Sequence, residues 1–164
     1  MDKLFLLRHA KSSWANSHLS DFQRPLSNRG IQNASDLSEF LIKKNINPHC
    51  VLVSSSYRTL ETLELAGKHI SDEIINIKDA IYHASVETLL GLLANEENQG
   101  TLLLVGHNPA MHCLTEVLTR SHIDKFPTCA LAEIELTTSW VDIRNASHTL
   151  VNFYTPKDYA RSRT

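Results

Sequence analysis

The sequence predicts an α/β fold, a three-layer αβα arrangement with a mostly parallel central sheet and an antiparallel C-terminal extension. Two observations predict it. Short apolar runs at 3–7, 50–53 and 101–105 alternate with stretches whose apolar residues recur every three or four positions, the mark of strands interleaved with helices. From Cys129 onward the pattern changes to a period of two, which suits antiparallel strands.

Lys3 to Leu7 is too short for a helix and reads as a buried parallel strand. Lys11 to Pro25 is polar and is expected to loop over the sheet. After Ser27, a favoured helix N-cap, Ile31, Ala34, Leu37 and Leu41 repeat at helical spacing. Cys50 to Val53 is the second strand, and Ser55 and Ser56 precede a helix carrying Leu60, Leu63 and Ala66. Ser71 to Tyr82 has no strong pattern and is expected to be irregular. Ser85 opens a helix with Val86, Leu89, Leu90 and Leu93, and Thr101 to Val105 is the third strand. Asn108 suits an N-cap and Pro109 the first helical position. Cys129 to Leu136 alternates, while Trp140 to Ile143 and Leu150 to Tyr154 read as β-rich runs separated by Arg144-Asn145-Ala146-Ser147. The tail, Arg161 to Thr164, is expected to fray.

At 164 residues the chain fits a single domain, 1–164, which must hold the whole site. No run is long enough to span a bilayer and the start does not resemble a signal peptide, so a soluble cytoplasmic monomer with no membrane contact is expected. Sixteen basic against eighteen acidic side chains leave no electrostatic footprint for nucleic acid. Cys50, Cys113 and Cys129 are an odd number without a C-x-x-C pair and read as reduced core thiols. His107 and His112 are five apart rather than the four that puts two ligands on one helical face. Neither a metal nor another cofactor is expected.

Three polar clusters follow the three predicted parallel strands directly: Arg8-His9, Ser54 to Arg58, and Gly106-His107-Asn108. In open α/β sheets the carboxyl ends of the strands line a common crevice, so two arginines and two histidines face one spot. A lone His or Arg at a strand end is usually structural; their joint placement argues against that reading. Guanidinium forks match phosphate oxygens, and a neutral imidazole can attack phosphorus to give a covalent phosphohistidine that water then hydrolyses. His18, His49, His69, His83, His112, His122 and His148 lack such company and are mostly read as structural or solvent-facing.

Leu7-Arg8-His9, Ser54-Ser55-Ser56-Tyr57-Arg58-Thr59 and Gly106-His107-Asn108 resemble the histidine phosphatase superfamily, with its phosphoglycerate mutase-like fold. The run from Asp21 to Gly30, together with Ile81-Tyr82-His83-Ala84, is similar to the small SixA-type phosphohistidine phosphatases. The resemblance implies that His9 is the phosphorylated nucleophile, Arg8 and Arg58 the phosphate clamp, and His107 the second histidine at the phosphoryl group. It makes Arg24 a further phosphate-side arginine; the alternative is a loop-anchoring ion pair with Asp21. Asn108 is the remaining candidate for phosphate binding. Ala10 stands where many superfamily members carry glycine, which alters the pocket only if its methyl group faces it.

Departure of an alkoxide calls for a protonating acid, and none is clear: Asp21, Glu61 and Glu64 read as surface carboxylates or as partners of Arg24 or Arg29. This favours a phosphoramidate substrate, namely phosphohistidine on another protein, with a histidine phosphotransfer domain as a candidate partner. The alternatives are a phosphomonoesterase or mutase acting on a small metabolite, and a non-catalytic phosphate-binding module.

Overall fold

The computed structural model describes residues 1–97 and 100–163. The apolar runs form strands buried on both faces: β1 (Lys3–Arg8), β2 (Cys50–Ser54) and β4 (Thr101–Gly106). β3 (Ile75–Lys78), β5 (Leu131–Glu135) and β6 (Thr149–Tyr154) complete one six-stranded sheet of order β3-β2-β4-β1-β5-β6. The pairs among β3, β2, β4 and β1 are parallel; β1–β5 and β5–β6 are antiparallel.

Alternate residues of the central strands feed two cores. Leu4, Leu6, Leu52, Leu102 and Leu104 lie in one, beneath α3 (Val86–Ala94) and α4 (Ala110–Thr119). Phe5, Leu7, Val51, Val53, Leu103 and Val105 lie in the other, beneath α1 (Asn28–Lys43), α2 (Tyr57–Ala66) and α5 (Pro156–Ser162). Cover on both faces is why these strands read as continuous apolar runs. The predicted N-caps Ser27 and Ser85 accept from the Gly30 and Thr88 amides, whereas Ser56 makes no such cap.

The structure corrects several expectations. The segment read as irregular contains β3, whose residues other than Ile75 are exposed; an edge strand with so little burial leaves no apolar period to read. Trp140 to Ile143 belongs to a 3-10 turn, Trp140–Asn145, rather than a strand. Trp140 and Ile143 are buried three positions apart while Val141 is 70% exposed, which is the 3-10 period. Arg161 and Ser162 do not fray but close α5, and Arg163 reaches Asp36 at 3.5 Å; Thr164 lies outside the described residues. Cys50 and Cys129 are buried thiols, but Cys113 is exposed on α4.

Candidate active site

Register brings the predicted residues together. Arg8 of β1 lies opposite Gly106 of β4, and Val53 of β2 opposite Val105, so His9 and His107 emerge side by side with Ser54 at the same level. The two imidazole centroids are 5.3 Å apart. His9 is pinned through its backbone: its N–H donates to Gly106 O at 3.0 Å and its carbonyl accepts from Cys129 N at 3.0 Å.

The His9 ring has a defined tautomer. Nδ1 lies 2.7 Å from the Ala10 carbonyl, which can only accept, so Nδ1 carries the proton and Nε2 keeps its lone pair. That nitrogen faces Arg58, whose Nε donates to it at 3.4 Å. Burial pushes the His9 imidazole down to about 4, with the charges of Arg58, Arg8 and Arg24 adding to the effect and the Ala10 bond opposing it. The ring is therefore neutral near pH 7. The Ala10 methyl group is fully buried in the core shared with Phe5 and Leu7, facing away from the site, and its amide donates to Thr62 Oγ1 at 3.0 Å.

His107 Nε2 shares a 2.8 Å hydrogen bond with Ser54 Oγ. Burial, followed by the neighbouring His9 and Arg58 charges, lowers this imidazole to about 3. Its Nδ1 and the Nε of Arg8 are buried without a protein partner. Arg8 is otherwise held by Nη1, which donates to Phe126 O at 2.9 Å. An unpartnered guanidinium N–H and an unpartnered ring nitrogen beside a neutral imidazole suit an anion better than a bare apolar packing would.

Sequence reasoning underweighted Asp21. This residue sits in a 3-10 turn, Asp21–Gln23, and gathers the site's charges. Its Oδ2 accepts from Tyr82 OH at 2.6 Å and Arg58 Nη2 at 3.1 Å, its Oδ1 from Arg24 Nη1 at 3.1 Å, and its backbone carbonyl from Arg58 Nη1 at 2.7 Å. The Tyr82 hydrogen bond, with Arg58 and Arg24, holds the carboxyl at about 2 against the opposing effect of burial, so Asp21 is an anion and not a proton donor near neutrality. Glu61 accepts from the Leu26 amide at 2.7 Å and Glu64 is exposed on α2.

Arg24 takes the loop-anchoring arrangement: each of its three nitrogens has an acceptor, in Ser13 O, Asp21 Oδ1 and Ser12 Oγ, while Trp14 stacks 3.2 Å from its guanidinium carbon. Its charge still acts on His9. Asn108 does not cap α4, whose N-cap is Pro109, reached through a cis Asn108-Pro109 bond. Instead Asn108 Nδ2 donates to Phe126 O at 2.9 Å. The Phe126 carbonyl, which also accepts from Arg8, thus engages the side chain that would have capped the helix, and Pro109 is left at its start.

Asp21, Arg58, His107 and Asn108 line a cavity of about 390 Å³ together with Ile81, His83, Ala84, Pro109 and Ala110. His83, read from sequence among the bystanders, is thus at the site. A larger hollow of about 580 Å³, between Arg29, Pro127 and Lys157, contains no histidine. Among the described residues, no group of three or more His, Cys, Asp or Glu side chains is placed to hold a metal ion, and no helix is long and apolar enough to cross a membrane.

Comparison with known proteins is consistent with this geometry. Residues 4–81 match the histidine phosphatase superfamily (branch 1). An uncharacterised protein of Mycobacterium tuberculosis is 30% identical over 162 residues, spanning 92% of this chain and all of that one. The structure of a candidate phosphohistidine phosphatase SixA from Agrobacterium tumefaciens is 27% identical, with a TM-score of 0.83 over 94% of this chain and 98% of that one. A counterpart from Nakamurella multipartitia is 25% identical with a TM-score of 0.84, over 94% and 96% of the two chains. The protein histidine phosphatase SixA complexed with tungstate shares the fold at a TM-score of 0.81 and 21% identity, over 95% and 98%.

Proposed function

The chain belongs to the histidine phosphatase superfamily, branch 1, and from that premise we propose that it hydrolyses phosphohistidine on a protein through a phosphorylated His9. One observation carries the reading: a neutral imidazole whose unprotonated Nε2 meets only a long, 3.4 Å contact from Arg58 Nε, with Arg8 and His107 close by. His9 Nε2 attacks phosphorus in line. Arg8, Arg58 and His107 hold the equatorial oxygens as charge redistributes. Water then cleaves the phosphoenzyme.

Two features favour a P–N over a P–O bond. Asp21, the one carboxylate among the described residues lining the cavity, is locked as an anion by Tyr82 and two arginines, and with no carboxylic acid there a leaving imidazole, which demands less of any remaining donor than an alkoxide does, is the better fit. The mouth is open: His83 is exposed and the Asp21 side chain keeps 42% of its surface in contact with solvent, which suits a phosphorylated side chain carried by another protein. The similarity to SixA phosphohistidine phosphatases is in keeping with this substrate.

Rapid quenching with a labelled phosphohistidine protein tests the mechanism. Wild type is expected to yield an acid-labile, base-stable adduct that His9→Ala lacks; an adduct persisting in the mutant removes His9 from its role. In the same preparation kcat/KM for the phosphohistidine protein should exceed that for small phosphate esters, and the reverse order refutes the substrate assignment. Activity is expected to survive EDTA.

A further inference from the structure

Both half-reactions proposed for His9 need a proton to move on the side of the phosphorus opposite Nε2, where the leaving group departs and water arrives. Asp21 is tied up as an anion by Tyr82, Arg58 and Arg24, and His107 is held by Ser54. His83 is the remaining cavity-lining side chain able to donate or accept a proton.

Its placement is specific. His83 lies between the 3-10 turn Asp79–Ile81 and α3 with φ of +57°, a left-handed conformation that histidine adopts more readily than most non-glycine residues. The imidazole packs 3.9 Å from the Tyr82 ring. Tyr82 is itself fixed by its hydroxyl on Asp21 and by edge contacts with Phe22 at 5.0 Å and His107 at 5.5 Å. Backbone and ring contact together place an exposed imidazole in the lining of the cavity, in company with Asp21 from the 21–23 turn, Arg58 from α2 and His107 from the end of β4.

We propose that His83 is the proton-transfer residue on the leaving-group side of this site, an inference that rests on the His9 mechanism above. As His9 Nε2 forms its bond to phosphorus, the electron pair of the bond being broken goes to the leaving atom, which takes a proton from the His83 imidazolium. Neutral His83 then accepts a proton from the attacking water as its oxygen bonds to phosphorus. The P–N pair returns to His9 Nε2 and inorganic phosphate departs, with His83 again protonated.

Rapid quenching with dinitrophenyl phosphate, whose leaving group needs no proton, separates the steps. His83→Ala and His83→Asn, the latter tolerant of the left-handed backbone, are expected to form the His9 adduct at close to the wild-type rate. Decay of the adduct should slow by roughly a hundredfold. Decay at the wild-type rate overturns the proposal, as does an equal slowing of formation and decay in both variants, which marks a structural role. Absence of any adduct in wild type refutes the His9 mechanism itself and the present inference with it.

Discussion

Burial of two neutral imidazoles and a buttressed carboxylate makes this site sensitive to acid. Folded His9 and His107 hold out against protonation to about 4 and about 3, whereas the unfolded chain takes up those protons below about 6.5. Between those limits the unfolded state binds more protons, so stability falls as pH is lowered from about 6.5 towards 3. Asp21, held at about 2, adds stabilisation that is present above the ordinary carboxylate range and is lost as pH falls through it. Urea melts across pH 7 to 3 should show a steadily falling midpoint, and a flat profile down to pH 4 would count against neutral buried histidines. The four candidate residues Arg8, His9, Arg58 and His107 were legible from sequence because each stands at, or within a few residues beyond, the carboxyl end of a strand. Asp21 was less so: its partners Arg58 and Tyr82 lie 37 and 61 positions away, a distance local pattern does not span.

At the scale of elements, the exit of β1 and the start of α1 are fastened together. Lys11 O accepts from Ser27 N at 2.8 Å and from Ser27 Oγ at 3.1 Å, and a Cβ at Gly30 would lie 2.1 Å from that same oxygen. Since the obstacle is backbone, relaxation requires moving the segment that follows His9. Gly30→Ala should therefore destabilise the fold by about 2 kcal/mol and reduce turnover, measured by chemical denaturation alongside kcat. Full stability in this variant would show that the strap yields freely. β1, β2 and β4 were legible as continuous apolar runs and α1, α2 and α3 by their helical period, whereas edge strand β3 had too little burial to show a pattern and the Trp140–Ile143 run was apolar without being a strand. α5 carried a readable signal in the Thr155-Pro156 start and the Thr155/Asp158 capping box.

Across the whole molecule, stability should be graded from the middle of the sheet outward. β1, β2 and β4 are almost wholly buried, while β3 and β6 are largely exposed edges. Amide hydrogen exchange is expected to be slowest in β1, β2 and β4 and faster in β3 and β6; comparable protection at the edges would contradict that gradient. His9 and His107, to which the proposal assigns catalysis, thus directly follow two of the most buried strands, and Tyr82 and His83 lie on the loop that follows an exposed one. By itself the sequence determined the αβ alternation, the antiparallel end and the strand-end quartet, because strand and helix periods are local and parallel topology forces strand ends to converge. Only the tertiary structure decided that Asp21 is an anionic clamp, that Arg24 anchors a loop, that Asn108 leaves the cap to Pro109 and that His83 borders the cavity. Those outcomes depend on which distant groups meet, and the energies of burial and pairing that select them exist only once the chain has folded.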